Sequence, residues 1–187
     1  GACSEKACRR APPFPGAKVR TKLTETRVSV FHCGYCYTCF MLVYTFRTYP
    51  YIDELKDIFP DVFIFGRLKE DMKTFERLLK HTQESVLGIA DTKRHSRIET
   101  IATNRFNNGK LEKSGSYELR LYADPRLESI TLAQKPTSSF CNWTMYKIQA
   151  FIDSQNLDSK FSFVHINVKD LDKLHVLKPT PNMQNLV

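Results

Sequence analysis

Cys141 sits in Ser138-Ser139-Phe140-Cys141-Asn142-Trp143, where an irregular polar stretch gives way to a helical pattern. Cysteine attacks as the thiolate, and the partial positive charge of a helix N-terminus lowers a thiol pKa, so a cysteine placed there can be a nucleophile. Two other residues supply what such a thiol needs: His165, in Phe163-Val164-His165-Ile166, and Glu99, in Arg97-Ile98-Glu99-Thr100. His165 would take the proton and return it. Glu99 would hydrogen-bond one imidazole nitrogen, fix the tautomer and leave the other nitrogen for the thiol. Each residue also has a plainer reading. A cysteine beside Phe140 can be a small core residue, a histidine in an apolar strand a hydrogen-bonded structural group, and Glu99 a solvent-facing partner of Arg97 or Arg105.

A second cluster, His32-Cys33-Gly34-Tyr35-Cys36-Tyr37-Thr38-Cys39, follows an apolar run. A Cys-x-x-Cys between a strand and a helix is the setting of thioredoxin-like thiol-disulfide exchange, so the Cys33/Cys36 pair is the alternative chemistry. No evident proline is placed to serve as the cis-proline of that fold. A zinc or iron-sulfur module would need a fourth soft ligand from Cys3, Cys8, Cys141, His32 or a partner chain. Structural cysteines in an apolar segment are the simplest reading of all.

The elements that must position these groups follow from periodicity. Val28, Val30 and Phe31 suggest a buried strand ended by Gly34, and residues 36–46 are ambiguous between helix and strand. Residues 53–58 read as a short helix stopped by Pro60, and 61–66 as an interior strand. Leu68, Met72, Phe75, Leu78 and Leu79 recur at helical spacing on a charged background, and lead into a buried strand over 85–90. Strand, helix, strand in that order predicts an α/β fold, with 62–65 and 86–89 paired in parallel. Short apolar segments at 119–122 and 129–132 precede a helix through Trp143, Tyr146, Ile148 and Ile152, and a strand over 161–168 that puts His165 on one pleat face with Phe161 and Phe163. A last helix over 170–177 is cut off by Pro179 and Pro181. The interval from Cys141 to His165 holds a helix, a turn and half a strand, which permits the two to meet.

Composition bounds the rest. With 187 residues, 42% of them hydrophobic, the chain can bury one sizeable core. No stretch of about 18 uncharged apolar residues exists to span a bilayer. The formal net charge of +8 is concentrated partly in Lys6, Arg9, Arg10, Lys18, Arg20 and Lys22, beside Pro12, Pro13 and Pro15. Residues 1–24 therefore read as a flexible basic N-terminal arm and 25–187 as a single α/β domain. The remaining basic residues lack the aromatic interleaving of an RNA-binding sheet, so no specific nucleic-acid partner is expected. Six cysteines without a signal-peptide core fit a reducing, cytoplasmic setting, in which the Asn142-Trp143-Thr144 sequon would be incidental.

The three candidate segments resemble those of the pyroglutamyl peptidase I (pyrrolidone-carboxylate peptidase) family of cysteine peptidases, as a divergent member. They come in the order Glu, Cys, His: Glu99 is followed by Ala102 and Asn104, Cys141 by Asn142 and Tyr146, and His165 stands in Phe163-Val164-His165-Ile166. Val86-Leu87-Gly88-Ile89-Ala90 resembles the strand and loop upstream of the family's glutamate. Pro136-Thr137 replaces the small pair before its cysteine. The resemblance implies a three-layer α/β/α sandwich around a mixed, mostly parallel twisted sheet, and a hydrolase that removes an N-terminal pyroglutamyl residue from peptides without a metal or other cofactor. Cys141 would be the nucleophile, His165 the general acid/base and Glu99 the orienting carboxylate. Tyr35, Tyr37, Ile89 and Phe140 would line the substrate pocket. The partner would be a peptide with a blocked N-terminus, with no membrane and no specific nucleic acid, and a homo-oligomer is left open.

Overall fold

A row of three residues, Tyr44, Gly88 and Phe163, runs across the middle of the sheet and explains how tightly its strands are packed. The computed structural model describes residues 41–81, 85–107 and 109–178. The strands are β1 (Met41–Phe46), β2 (Phe63–Phe65), β3 (Ser85–Asp91), β4 (Arg97–Glu99), β5 (Ile101–Thr103), β6 (Glu118–Arg120), β7 (Thr131–Leu132) and β8 (Lys160–Ile166). Six of them form one sheet in the order β2-β1-β3-β8-β4-β7, and β5 and β6 pair separately. All neighbours in the large sheet are parallel except β4 against β8.

Tyr44 of β1 pairs with Gly88 of β3, which pairs in turn with Phe163 of β8. The missing side chain at Gly88 is filled by the two neighbouring rings: a Cβ there would collide with Phe163 Cδ2 and lie 2.5 Å from Tyr44 Cζ. Gly88→Ala is therefore expected to overpack this row and cost about 1–3 kcal/mol. A urea midpoint that falls at constant m-value would show it, and an unmoved midpoint would refute it.

Both sheet faces are covered, which is why β3 and β8 are almost continuously apolar rather than alternating. Tyr44, Phe46, Val86, Phe161 and Phe163 face one core with helices α2 (Leu68–Leu79) and α3 (Phe140–Ser154). Val43, Leu87, Ile89, Val164 and Ile166 face the other, covered by helix α1 (Ile52–Ile58) and by 3-10 turns at Pro125–Leu127 and Val168–Leu177. The result is the expected three-layer α/β/α sandwich on a mixed, mostly parallel sheet. Helix α2 buries Met72, Phe75 and Leu79 at helical spacing, each contributing about 1.5–3 kcal/mol of transfer free energy. Asp71 ties down the entry to that helix by accepting from the Gly66 and Arg67 amides at 2.7 and 2.6 Å.

One expectation about the sheet needs correction. The segments 62–65 and 86–89 are parallel but not neighbours, because β1 lies between them. Residues 41–46, ambiguous in the sequence, carry the buried stretch Val43 to Phe46 and take an interior position, which leaves the three-residue β2 at the edge. The last helix is a 3-10 turn over Val168–Leu177. The strand proposed at Val28 to Phe31 and the basic arm lie outside the described residues.

Candidate active site

Helix α3 begins at Ser139, whose hydroxyl accepts from the Cys141 amide at 3.2 Å, so Cys141 stands in the first turn. Its far end is closed by Asn156, which takes a positive φ of 51°. The Leu157 amide donates to the Ile152 carbonyl and the Asn156 amide to the Asp153 carbonyl, the paired bonds of a Schellman cap. This sharp stop returns the chain to β8, whose penultimate residue is His165. Cys141 and His165 thereby reach the same cavity, about 300 Å³, at the C-terminal ends of β1, β3 and β8.

Glu99 arrives from β4, where Arg97 is directly opposite His165 and Glu99 opposite Phe163. The Glu99 side chain is 1% exposed, and its Oε1 lies 2.7 Å from His165 Nδ1. The same oxygen accepts from Arg97 Nε at 3.0 Å, while Arg97 Nη1 donates to Thr92 Oγ1 at 3.4 Å. A carboxylate offers only acceptors, so its contact with Nδ1 places a proton there, and in the neutral imidazole Nε2 is then the acceptor. Glu99 is thus paired with Arg97, as its plainer reading had it, yet is buried rather than facing solvent. Glu99 Oε2 is buried without a hydrogen-bond partner among the described residues.

The thiol is held protonated at rest. Burial pushes Cys141 from its ordinary value of 9.0 up to about 11. The Ser139 hydroxyl, the residue's own backbone N–H and Arg97 oppose that rise, and the charge of Glu99 adds to it. A group in this condition becomes a nucleophile when a neighbouring base accepts its proton, and catalytic contacts often tighten only with substrate bound.

Asn142 anchors the same turn. It is fully buried; its Oδ1 accepts from the Thr103 amide at 2.8 Å, and its Nδ2 donates to the carbonyls of Thr103 and Arg105 at 2.9 and 2.7 Å. Those bonds fasten the start of α3 to β5, just beyond Glu99. They also leave the Asn142-Trp143-Thr144 sequon inaccessible in the folded chain. Asn104 stabilises the following loop, exchanging bonds with the Glu112 backbone in both directions.

The cavity wall consists of Phe46, Thr48, Tyr49, Ala90, Asp91, Ser139 and Phe140 besides Cys141 and His165. Phe140 therefore lines it, with its ring edge-to-face against Phe46 at 4.8 Å. Ile89 does not: its side chain is fully buried in the core on the opposite face, and Ala90 takes the cavity position. Tyr35 and Tyr37, like Cys33, Cys36 and Cys39, lie outside the described residues. Reading the first strand at Val28 to Phe31 hides Phe46 and Tyr49, to which the strand-end rule for parallel sheets points once the strand is placed at 41–46; Asp91 ends the strand read over 85–90 and is open to the same rule directly.

No family model and no curated protein matches this chain. Solved structures do. A mutant pyrrolidone carboxyl peptidase from the hyperthermophile Pyrococcus furiosus matches with a TM-score of 0.58 at 14% identity, over 73% of this chain and 94% of that one. The pyrrolidone carboxyl peptidase from Thermococcus litoralis matches at 0.54 and 17%, over 68% and 76%. Pyroglutamyl peptidase I from Bacillus amyloliquefaciens matches at 0.53 and 14%, over 74% and 92%. At these identities the likeness is one of fold.

Proposed function

We propose that this chain is a thiol peptidase that attacks the carbonyl of a peptide's N-terminal residue, with pyroglutamyl as the acyl group named by the family resemblance. The observation that carries the reading is the grouping of Cys141 and His165 on one cavity, with Nδ1 of the imidazole held by a buried carboxylate. In the reaction the Cys141 proton passes to His165 Nε2 as sulfur attacks the carbonyl carbon. The imidazolium, stabilised by Glu99, then protonates the departing amine and leaves a thioester on Cys141. Water, deprotonated by His165, hydrolyses that thioester and restores the thiol. Phe46 and Phe140 offer an apolar wall to the acyl group. None of these steps calls for a metal or cofactor.

The test is release of a fluorogenic amine from a pyroglutamyl conjugate. Cys141→Ala is expected to lower the rate by about 10⁴-fold or more, as loss of a nucleophile does elsewhere. Equal turnover by wild type and variant would sink the proposal. A cytoplasmic location fits this reading. Among the described residues, no helix is long and apolar enough to cross a membrane.

A further inference from the structure

Two residues hold Glu99, and they hold it by one oxygen. Arg97 Nε donates to Oε1 at 3.0 Å and His165 Nδ1 lies 2.7 Å from the same atom, while Oε2 has no partner among the described residues. Arg97 stands directly opposite His165 where β4 pairs with β8, and such cross-strand neighbours have Cβ atoms about 5 Å apart on one face of the sheet. Its guanidinium is tied down there. Nη1 donates to Thr92 Oγ1 at 3.4 Å, and the Thr92 amide is itself bound to the Ile166 carbonyl at 3.1 Å.

Charge decides what that arrangement does. The Glu99 side chain is 1% exposed, too little for water to screen it, and a buried anion that loses its partner is relieved by taking up a proton. Besides Arg97 and Glu99 from β4, the titratable groups around the imidazole are Cys141 from α3, Asp91 from the end of β3 and Tyr49 from the turn after β1. None of these three is a cation. Arg97 is thus the one fixed cation in contact with Glu99 among the described residues, and in its absence a proton has to balance the carboxylate. That proton has two places to go. On Glu99 it would be donated to Nδ1, which moves the imidazole's own proton to Nε2; on the imidazole it would occupy Nε2 directly. Either way the nitrogen that must accept from the thiol is closed.

We propose that Arg97 is a positioning residue whose cation takes the place of a second proton on the pair of Glu99 and His165, so that Nε2 stays open to the proton of Cys141. The charge balance stands by itself. Only its consequence for hydrolysis rests on the reading of Cys141 as the attacking thiol.

Arg97→Gln and Arg97→Lys separate charge from shape, because glutamine keeps a donor for Glu99 Oε1 without the charge and lysine keeps the charge without the planar fork. Nitrogen NMR of ring-labelled histidine follows Nε2 of His165 directly, the resonance being identified by its loss in His165→Asn. In Arg97→Gln the titration of Nε2 is expected to move upward from that of wild type by about one pH unit or more, the effect of a charge at this range, and in Arg97→Lys to stay close to wild type. Hydrolysis of the pyroglutamyl conjugate by Arg97→Gln should then fall about ten- to hundred-fold at pH 6.5 and return to within about three-fold of wild type at pH 9, a recovery that a merely loosened strand would not show. Circular dichroism would check that both variants are folded. An Nε2 titration identical in wild type and Arg97→Gln, or displaced as far by lysine as by glutamine, overturns the role of Arg97. Wild-type hydrolysis with no displacement in Arg97→Gln removes this inference alone. The displacement without any hydrolysis by wild type keeps the charge balance and removes the peptidase.

Discussion

Glu99→Gln is expected to leave the fold intact and to reduce hydrolysis by about 10² to 10⁴-fold, the range a positioned acid/base system contributes. The geometry predicts which property is lost. Arg97 Nε and His165 Nδ1 both donate to Oε1, while Oε2 has no partner among the described residues. A glutamine can put its carbonyl at the Oε1 position and its NH₂ at the Oε2 position. Arg97 enforces that orientation, because a guanidinium donates only and would repel the amide's hydrogens. The imidazole then keeps its tautomer, and what disappears is the negative charge that stabilises the imidazolium. The loss should fall on kcat and on Cys141 alkylation at pH 7 more than on KM. Unchanged activity would show that Glu99 is only a structural anchor for β4 and β8.

The second large effect is alkaline. In the folded chain the Cys141 thiol holds its proton up to about pH 11, against 9.0 ordinarily. Its folded pKa is raised, so the stability linked to that proton is fully present below pH 9 and is lost as pH climbs through 11. The difference amounts to about 2 kcal/mol between pH 8 and pH 11, at roughly 1.4 kcal/mol per pKa unit. Cys141→Ser cannot titrate there. Urea unfolding of the two proteins at both pH values should therefore show wild type losing about 2 kcal/mol more than the variant, while buried tyrosines contribute equally to both. Parallel losses would mean that the thiol is not desolvated as described. The same burial bears on reactivity, since at pH 7 a thiol of this pKa standing alone would be about one part in 10⁴ thiolate. Rapid alkylation at neutral pH would then report proton transfer to His165.

Much of the site was legible because its residues stand beside recognisable punctuation. Cys141 follows a serine cap before a strongly apolar helix, and His165 stands on a strand whose alternation is plain from Phe161 to Ile166. The amphipathic helix over 68–79 declared itself by charge. Two things were not readable. Residues 41–46 are apolar on both faces, and a strand buried on both sides has no alternation to distinguish it from a buried helix. Missing that strand hid Phe46 and Tyr49 at its end and let 62–65 and 86–89 seem adjacent. The pairing of Arg97 with Glu99 was visible as an option, but its burial was not: that depends on β8 running antiparallel beside β4, a contact across 66 positions between Glu99 and His165.

The Asn142 carboxamide carries an implication for how the molecule can be watched. Because its Oδ1 holds the Thr103 amide, and Thr103 lies four residues beyond Glu99, the first turn of α3 and the strand after the carboxylate behave as one mechanical body. The proton on the Thr103 nitrogen can exchange with solvent only when that body opens. Its exchange rate is a clock on the main chain that records how often the start of α3 and β5 part company, without any probe being attached to Cys141 or Glu99.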